Sequence, residues 1–402
     1  MLLTPALLTL PLLAAAIPTN RGQLAFNQAP ALSDDASGDI EHADYKGFSL
    51  DLDELRLVQF SEDEPPVWMT ELQKIETKAK GVRFMDITDT PSLGFSGYLL
   101  PSAANVKYSY PTPGNHTKEI KKIIKGLDIG CMKKFLTKFT SFRTRYYRSD
   151  TGKESQQFLL KTLKDIAKPH SGITIKEFPH PWGQNSIIVH FSPSSSAAKE
   201  EPVTIIGAHQ DSANTWPFLP APGADDDGSG TTSSLEAFRN LVAANYTPSS
   251  PLEFHYFSAE EGGLLGSQAV AKSYEEEGKL VRAMLQMDMT AWVKEGTEER
   301  VGVVQDFVDP GLTEFVEGLI SEYLSISSVK TKCSYACSDH ASFGKAGYQS
   351  AFAIEATFED SNTRNIHSTQ DTFDHPEFSW THMREFSKLA IAFALELAGS
   401  SE

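Results

Sequence analysis

The chain has 402 residues, of which 40% are hydrophobic and 22% are charged, and this is enough to bury one large domain with an extension. Its formal net charge of -17 repels nucleic acid and anionic membranes, so neither is an expected partner. We expect a monomer.

The N-terminal residues have the character of a secretion signal. Residues 2–16 form a short apolar run that ends in the small residues Ala14 and Ala16, as a signal peptidase site does. A buried strand or helix of a cytosolic protein is the alternative. No later apolar run reaches ~18 residues without a charge, so no membrane span is expected. We therefore predict a signal peptide at residues 1–16 and a secreted, extracellular protein.

Residues 17–85 differ in composition from the rest of the chain. Their acidic part, residues 33–64, has eleven Asp or Glu against two Lys or Arg, and a more basic stretch runs from Lys74 to Arg83. A disordered acidic tail is the alternative, but interspersed apolar stretches favour a segment that packs on the rest of the chain. We predict a pro-segment that ends near residue 85, followed by one domain at residues 86–402.

Helical and strand-like patterns alternate from residue 86 onward. Helices are predicted at 128–141, 152–167, 229–244, 263–277, 311–324 and 377–398. Apolar strands are predicted at 184–191, 202–208, 251–258, 281–289, 300–306 and 349–355. This alternation predicts an α/β fold, in which a single globular domain has a central, mostly parallel mixed β-sheet flanked by helices.

Polar residues lie at the ends of three of these strands, where functional sites of α/β sheets gather. His209, Glu260 and Asp288 stand at these positions. Asp211 is placed to accept a hydrogen bond from the second ring nitrogen of a metal-bound His209. A strand-end pair without a metal is the alternative. Glu260 and Glu261 are neighbours whose side chains point apart on an extended backbone, so we expect one on a metal and the other on a reacting water.

A run of three carboxylates, Asp225-Asp226-Asp227, lies between Ala-Pro-Gly and Gly-Ser-Gly. Adjacent carboxylates repel, and a fold keeps them together only when they are solvated or neutralised by cations. An exposed acidic turn that caps the next helix is the alternative. Asp226, Glu261 and Asp288 supply three negative charges, which two divalent ions and a bridging hydroxide would balance. Oxygen and nitrogen ligands without thiolate suit zinc, with manganese or cobalt as other occupants.

Six motifs together resemble those of the secreted leucine aminopeptidases of metallopeptidase family 28, two-zinc exopeptidases of fungi and bacteria. The resemblance runs from about Thr144 to the C-terminus and is to the fungal type. The motifs are G-A-H-x-D, A-P-G-A-D-D-D-x-S-G, A-E-E-x-G-L-x-G-S, L-Q-x-D-M-T, C-x-Y-A-C-S-D-H-A-S and I-H-x-T-Q-D-T. It implies a zinc-exopeptidase-like fold and a hydrolase that releases N-terminal residues, Leu and other large apolar residues foremost, from peptides.

The resemblance also implies a role for each motif residue. Five side chains would bind two zinc ions: His209 and Asp288 on one, Glu261 and His367 on the other, and Asp226 on both. Glu260 would be the general base and Asp211 would orient His209. His367 lies in a polar loop, where an exposed histidine without a ligand is the alternative.

Apolar side chains near these motifs predict a substrate pocket. They are Met289, Tyr335, Ile354, Phe358 and Ile366. The loop at residues 358–367 is one residue longer than the corresponding loop of the bacterial enzymes that the chain resembles.

Cys333 and Cys337 are predicted to form a disulfide, because residues four apart on a helical turn lie within bonding reach. Cys131 is expected to be buried and unpaired. Asn115 and Asn245 begin glycosylation sequences.

The resemblance leaves three other functions to consider. A glutaminyl cyclase would use one zinc, a receptor module such as that of transferrin receptors would lack ligands, and a carboxypeptidase would need a basic pocket. The intact ligand set, with His209 and Glu260 present, favours a peptidase that acts on peptide substrates.

Overall fold

The computed structural model describes residues 46–95 and 106–399. The predicted signal peptide at residues 1–16 and the beginning of the predicted pro-segment lie outside these ranges. No helix in the described part of the chain is both long and apolar enough to cross a membrane.

The described part of the predicted pro-segment folds as a small sheet with one helix. Strands β1 (Leu55–Gln59), β2 (Val67–Thr70) and β3 (Met85–Asp86) form an antiparallel sheet in the order β2-β1-β3, and helix α1 (Glu71–Ala79) follows β2 directly. Helix α1 begins with a capping box, in which Thr70 and Gln73 satisfy each other's backbone amides. The predicted end at residue 85 therefore falls inside β3.

A buried group of charges ties this small sheet together and joins it to the main domain. Asp86 Oδ2 lies 2.8 Å from Arg56 Nε and 3.0 Å from Lys74 Nζ, and Lys74 also lies 2.8 Å from Glu71. The backbone amide of Asp86 donates to the carbonyl oxygen of Gly263 at 3.0 Å. Because buried charges are stable only when they are paired, this group fixes where α1 sits on the main domain.

An eight-stranded mixed β-sheet forms the centre of the main domain. Its strands are β4 (Ile173–Phe178), β5 (Ser186–Phe191), β6 (Val203–His209), β7 (Leu252–Phe257), β8 (Val281–Met287), β9 (Arg300–Val304), β10 (Ser327–Thr331) and β11 (Ser350–Ile354). Their order across the sheet is β10-β9-β11-β8-β6-β7-β5-β4. The central strands β8, β6 and β7 are parallel, whereas β5 is antiparallel to both of its neighbours. The predicted α/β fold with a mixed sheet is confirmed.

Helices cover both faces of this sheet. They are α2 (Thr117–Ile123), α3 (Ile129–Phe139), α4 (Asp150–Ala167), α5 (Gly228–Ala243), α6 (Leu265–Glu276), α7 (Pro310–Tyr323), α8 (His340–Lys345) and α9 (Trp380–Ala398). The larger core cluster joins α5 and α9 to one face, through side chains such as Phe238 and Phe393. A second cluster joins α6 and α8 to the other face, through Val270 and Phe343. Each fully buried Phe or Leu stabilises the fold by about 1.5–3 kcal/mol.

The helices and strands predicted for the main domain are all present, with ends shifted by at most three residues. Two short helices, α2 and α8, were not predicted. Strands β4 and β10 were not predicted either. These two strands lie at the edges of the sheet, and their polar residues, such as Lys176 and Lys330, face solvent. Neither strand therefore forms an apolar run in the sequence.

Three smaller predictions concern cysteines and glycosylation. Cys333 and Cys337 form a disulfide with their Cα atoms 6.1 Å apart, but they lie in a bent loop and not on the expected helical turn. Cys131 is unpaired, as predicted, although it is half-buried and its thiol donates to Asp128. Asn115 and Asn245 are exposed, and their glycosylation stays a prediction.

Candidate metal centre

Three neighbouring parallel strands bring the predicted site residues to one edge of the sheet. His209 is the last residue of β6, Asp288 directly follows β8, and Glu260 and Glu261 lie in the loop after β7. Because β6 lies between β7 and β8, its histidine stands between the two acidic strand ends. The expected convergence at the carboxyl ends of the strands is what the fold produces.

Two groups of potential metal ligands meet at Asp226. In the first group, His209 Nε2 lies 3.1 Å from Asp226 Oδ1 and 3.4 Å from Asp288 Oδ1. In the second, His367 Nε2 lies 3.1 Å from Asp226 Oδ2 and 2.9 Å from Glu261 Oε2. Each oxygen of the Asp226 carboxylate therefore faces a different group, which is the geometry of a bridging ligand.

The three adjacent aspartates have separate roles. Asp227 caps α5 by accepting from the amide of Gly230 at 2.8 Å, and its other oxygen accepts from the amide of His209 at 3.0 Å. Asp225 is fully buried and accepts from Asn362 Nδ2 at 3.0 Å. Asp227 therefore caps the helix, as the alternative expected, but it is buried and not exposed, whereas Asp226 points into the ligand groups.

Asp211 connects the histidine strand to the two adjacent glutamates. Its Oδ1 lies 3.5 Å from His209 Nδ1 and accepts from the backbone amide of Glu260 at 3.1 Å, while Oδ2 accepts from the amide of Glu261 at 3.3 Å. One buried carboxylate thus faces His209 and also fixes the backbone that carries both glutamates.

The buried polar atoms of the first group suit a cation. Both ring nitrogens of His209 and Oδ1 of Asp288 are buried and accept or donate no hydrogen bond. The other oxygen of Asp288 accepts from Ser338 Oγ at 2.6 Å, which leaves Oδ1 directed at the histidine. Buried polar atoms normally have partners, and a divalent ion with nitrogen and oxygen ligands would supply one here.

Glu260 lines the same cleft without belonging to either ligand group. Burial raises its pKa well above the ordinary value of 4.5, and the negative charges of Asp288 and Glu261 raise that pKa further, against the opposing effect of His209. A carboxylate in these surroundings is suited to accept a proton.

The predicted pocket residues line a cleft of about 90 Å³ beside the ligand groups. They include Met289, Tyr335, Ile354, Phe358 and Ile366, which also form one apolar cluster around the Cys333–Cys337 disulfide. The Tyr335 ring meets the Phe358 ring edge-on at 6.1 Å. Burial raises the pKa of Tyr335 to about 12, so its hydroxyl keeps its proton at neutral pH and can donate a hydrogen bond.

The sequence did not indicate several residues that shape this site. Asp371, Asn362 and Ser338 hold the ligand-bearing loops, and Lys78 of α1 reaches Glu261. Asp371 and Ser338 lie inside two of the six motifs, and this position could have indicated a role at the site. Lys78 lies in the basic stretch from Lys74 to Arg83, and a sequence pattern does not show that a helix docks at the cleft.

Comparison with known proteins identifies the family. Peptidase family M28 matches residues 186–394. Leucine aminopeptidase 1 of Chaetomium globosum is 48% identical over 346 residues, 82% of this chain and 82% of that protein, and leucine aminopeptidase 1 of Trichoderma harzianum is 45% identical over 369 residues, 88% and 90%. The crystal structure of the Legionella pneumophila aminopeptidase LapA matches with a TM-score of 0.73 at 27% identity, covering 87% of this chain and 95% of that one. The resemblance inferred from the six motifs is confirmed, and the chain belongs to peptidase family M28.

Proposed function

We propose that this protein is a secreted zinc aminopeptidase that removes N-terminal residues, Leu and other large apolar residues foremost, from peptides. The observation that carries this proposal is the Asp226 carboxylate, whose two oxygens face two separate ligand groups. Two groups favour a two-metal peptidase over a one-zinc glutaminyl cyclase, and the complete ligand set favours an enzyme over a receptor module.

His209 and Asp288 would hold one zinc, Glu261 and His367 the other, and Asp226 both. Two zinc ions in these positions would lower the pKa of a shared water and polarise the scissile carbonyl. Manganese or cobalt would fit the same nitrogen and oxygen ligands.

The protein's own residues perform the proton transfers. Glu260 takes the proton from the attacking water and later delivers it to the leaving amine, so one side chain acts as base and then as acid. Tyr335 donates a hydrogen bond towards the oxyanion that develops on the substrate. Asp211 holds the backbone amides of Glu260 and Glu261 so that the two side chains take different directions.

The cleft favours a free amino terminus with an apolar side chain. Its apolar wall contains Met289, Ile354, Phe358 and Ile366. Its polar wall contains four carboxylates and His367, with Lys78 and Arg83 contributed by the predicted pro-segment. An acidic substrate side chain would lose its hydration beside these carboxylates. Burying such a charge costs on the order of several kcal/mol. A blocked amine would lose its ionic interaction with the same carboxylates.

A panel of aminoacyl amides tests this proposal. Leu, Met and Phe amides are expected to be cleaved fastest, and Asp and Glu amides slowest. N-acetyl-Leu amide is the matched control, because it differs from the best substrate only at the amine. Preference for an acidic residue, or equal cleavage of the acetylated substrate, would contradict the proposed specificity.

We further propose that residues 1–16 are removed as a signal peptide and that residues 17–85 form a pro-segment which inhibits the catalytic domain at residues 86–402 or assists its folding. The observation in support is that Lys78, Val82 and Phe84 line the same cleft as Glu260. Isolated segment added to processed enzyme is expected to slow hydrolysis. If a saturating amount leaves the rate unchanged, inhibition is excluded and only the folding role stands.

A further inference from the structure

A lysine of the predicted pro-segment contacts a residue of the candidate metal centre. Lys78 Nζ lies 2.6 Å from Glu261 Oε2 and donates to the backbone carbonyl oxygen of Glu261 at 2.8 Å. The Lys78 side chain is 17% exposed and that of Glu261 is 2% exposed, so water screens this ion pair little.

The contacted oxygen is the one that the second ligand group uses. Glu261 Oε2 also lies 2.9 Å from His367 Nε2, whereas Glu261 Oε1 accepts from the backbone amide of Ala213 at 3.0 Å. Lys78 therefore binds the oxygen that would ligate an ion and not the oxygen that anchors the side chain.

The position of Lys78 is fixed by its helix. Lys74, one turn earlier on α1, is paired with Glu71 and Asp86 and reaches the carbonyl oxygen of Gly262 at 3.4 Å. Residues four apart lie on one face of a helix, so both lysines meet the consecutive residues Glu261 and Gly262. The ammonium group of Lys78 thus reaches Glu261 through a docked, capped helix and not through a loose side chain.

We propose that Lys78 competes with the second metal ion for Glu261, so that the chain with its docked α1 binds the first ion well and the second ion weakly. This inference rests on the two-metal function proposed above. An ammonium group and a divalent ion on one carboxylate oxygen would be close like charges, and they repel strongly in a cleft that excludes water. Departure of α1 removes the lysine and completes the second site.

Inhibition by such competition differs from inhibition by a segment that simply covers the cleft. A segment that only covers the cleft leaves metal affinity unchanged. A segment that neutralises Glu261 lowers the affinity of one site and spares the other. By linkage, binding of the second ion must weaken the docking of α1 by the same factor.

The test uses the full chain, freed of metal and then equilibrated with zinc at buffered free concentrations. Bound zinc per chain is measured for the wild type, Lys78→Gln, Lys78→Arg and Lys80→Gln. Lys80 is exposed and lies two residues away, so Lys80→Gln removes a charge from the same helix end without touching Glu261. Lys78→Arg keeps the positive charge and changes only the shape of the side chain, so it separates the effect of charge from that of shape.

The expected result is that Lys78→Gln binds the second zinc about 10- to 100-fold more tightly than the wild type. This is the size of the change that groups bonded to metal ligands produce, with the opposite sign because Lys78 competes with the ion. Affinity for the first zinc stays equal, and Lys80→Gln and Lys78→Arg behave as the wild type. Two equal zinc affinities in the wild type and Lys78→Gln would overturn the inference while leaving the two-metal function intact. Failure of every variant to bind zinc would instead count against the proposed function.

Hydrogen exchange of α1 gives a second readout that needs no activity. In the wild type, saturating zinc is expected to speed exchange of the amides of residues 71–79, because the second ion displaces Lys78. In Lys78→Gln the same zinc concentration leaves their exchange unchanged. Zinc-independent exchange in the wild type would contradict the competition.

Discussion

The carboxylate of Asp371 accepts a hydrogen bond from the backbone amide of Asp226 at 3.1 Å, and its other oxygen accepts from the amide of Asp225 at 2.9 Å. The backbone oxygen of Asp371 also accepts from the amide of Ala224 at 3.1 Å. Three consecutive amides before α5 are therefore held by one residue, which follows His367 by four positions. The loop that supplies His367 and the loop that supplies Asp226 are fixed to each other at this point.

Asp371→Asn is expected to lower metal affinity and activity together. The amide replaces one acceptor oxygen with a donor that faces a backbone N–H, so Asp226 loses its orientation. Partners of metal ligands are worth about 10- to 100-fold in metal affinity. Zinc titration and turnover of a Leu amide measure the effect, and Asp374→Asn, an exposed aspartate three residues on, is the control. Unchanged zinc affinity in Asp371→Asn would show that Asp371 does not position the ligand.

Glu260→Gln is expected to separate catalysis from metal binding. The substitution removes the proton acceptor but none of the ligand atoms, so turnover should fall by about 10²- to 10⁴-fold or more while bound metal is unchanged. Asp226→Ala is the contrasting variant and should lose metal, because it removes the residue shared by both groups. Activity of Glu260→Gln within about a factor of ten of the wild type would exclude Glu260 as the general base.

A buried carboxylate away from the cleft predicts how stability depends on pH. Glu253 is 2% exposed and accepts from Tyr274, Lys279, His255 and His190 at 2.7, 2.8, 2.9 and 3.1 Å. Burial alone would raise its pKa, but the hydrogen bonds from the histidines and the charge of Lys279 hold that pKa well below the ordinary 4.5. A lowered folded-state pKa means that the stabilisation is complete above pH 4.5 and is lost as the pH falls through the lowered value.

Glu253→Gln is therefore expected to lower the free energy of unfolding by about 3 kcal/mol at neutral pH, because it leaves buried donors and a lysine unpaired. The difference from the wild type should shrink as the pH falls below 4.5. Urea unfolding at a series of pH values measures both effects. A difference that stays constant down to the acid limit would refute the lowered pKa.

The Cys333–Cys337 disulfide is expected to matter more for activity than for stability. The closed loop is short, so its loss should cost about 2 kcal/mol or less. The same loop carries Tyr335 on the wall of the cleft, so Cys333→Ala with Cys337→Ala should reduce kcat/KM for Leu amides. Cys131→Ala, which removes an unpaired thiol, is the control. Full kcat/KM in the double variant would show that the disulfide does not position Tyr335.

The sequence predicted the main domain well because its central strands are apolar and alternate with amphipathic helices. It also indicated where ligands converge, because His209 and Asp288 stand at the ends of parallel strands. Distinguishing Asp226 from its two neighbours needed the family resemblance, since composition treats three adjacent carboxylates alike. Their separate roles depend on which oxygen meets which backbone amide, and this is decided by the tertiary fold.

The contact between the predicted pro-segment and the cleft could not be inferred from the sequence. Lys74 and Lys78 lie in the basic stretch near the predicted end of this segment, yet both contact residues 261–262. Asp86, expected just beyond the segment, is instead its buried ionic centre. The contacts of Lys74 with Gly262 and of Lys78 with Glu261 join positions 188 and 183 residues apart, and no local pattern encodes them.

Zinc titration of processed, metal-free enzyme, with hydrolysis of a Leu amide followed in the same samples, tests the central claim most directly. We predict two bound zinc ions per chain at full activity, one ion and little activity in His367→Ala, and no cleavage of the acetylated substrate at any zinc concentration. Full activity with one ion, undiminished in His367→Ala, would contradict the two-metal aminopeptidase.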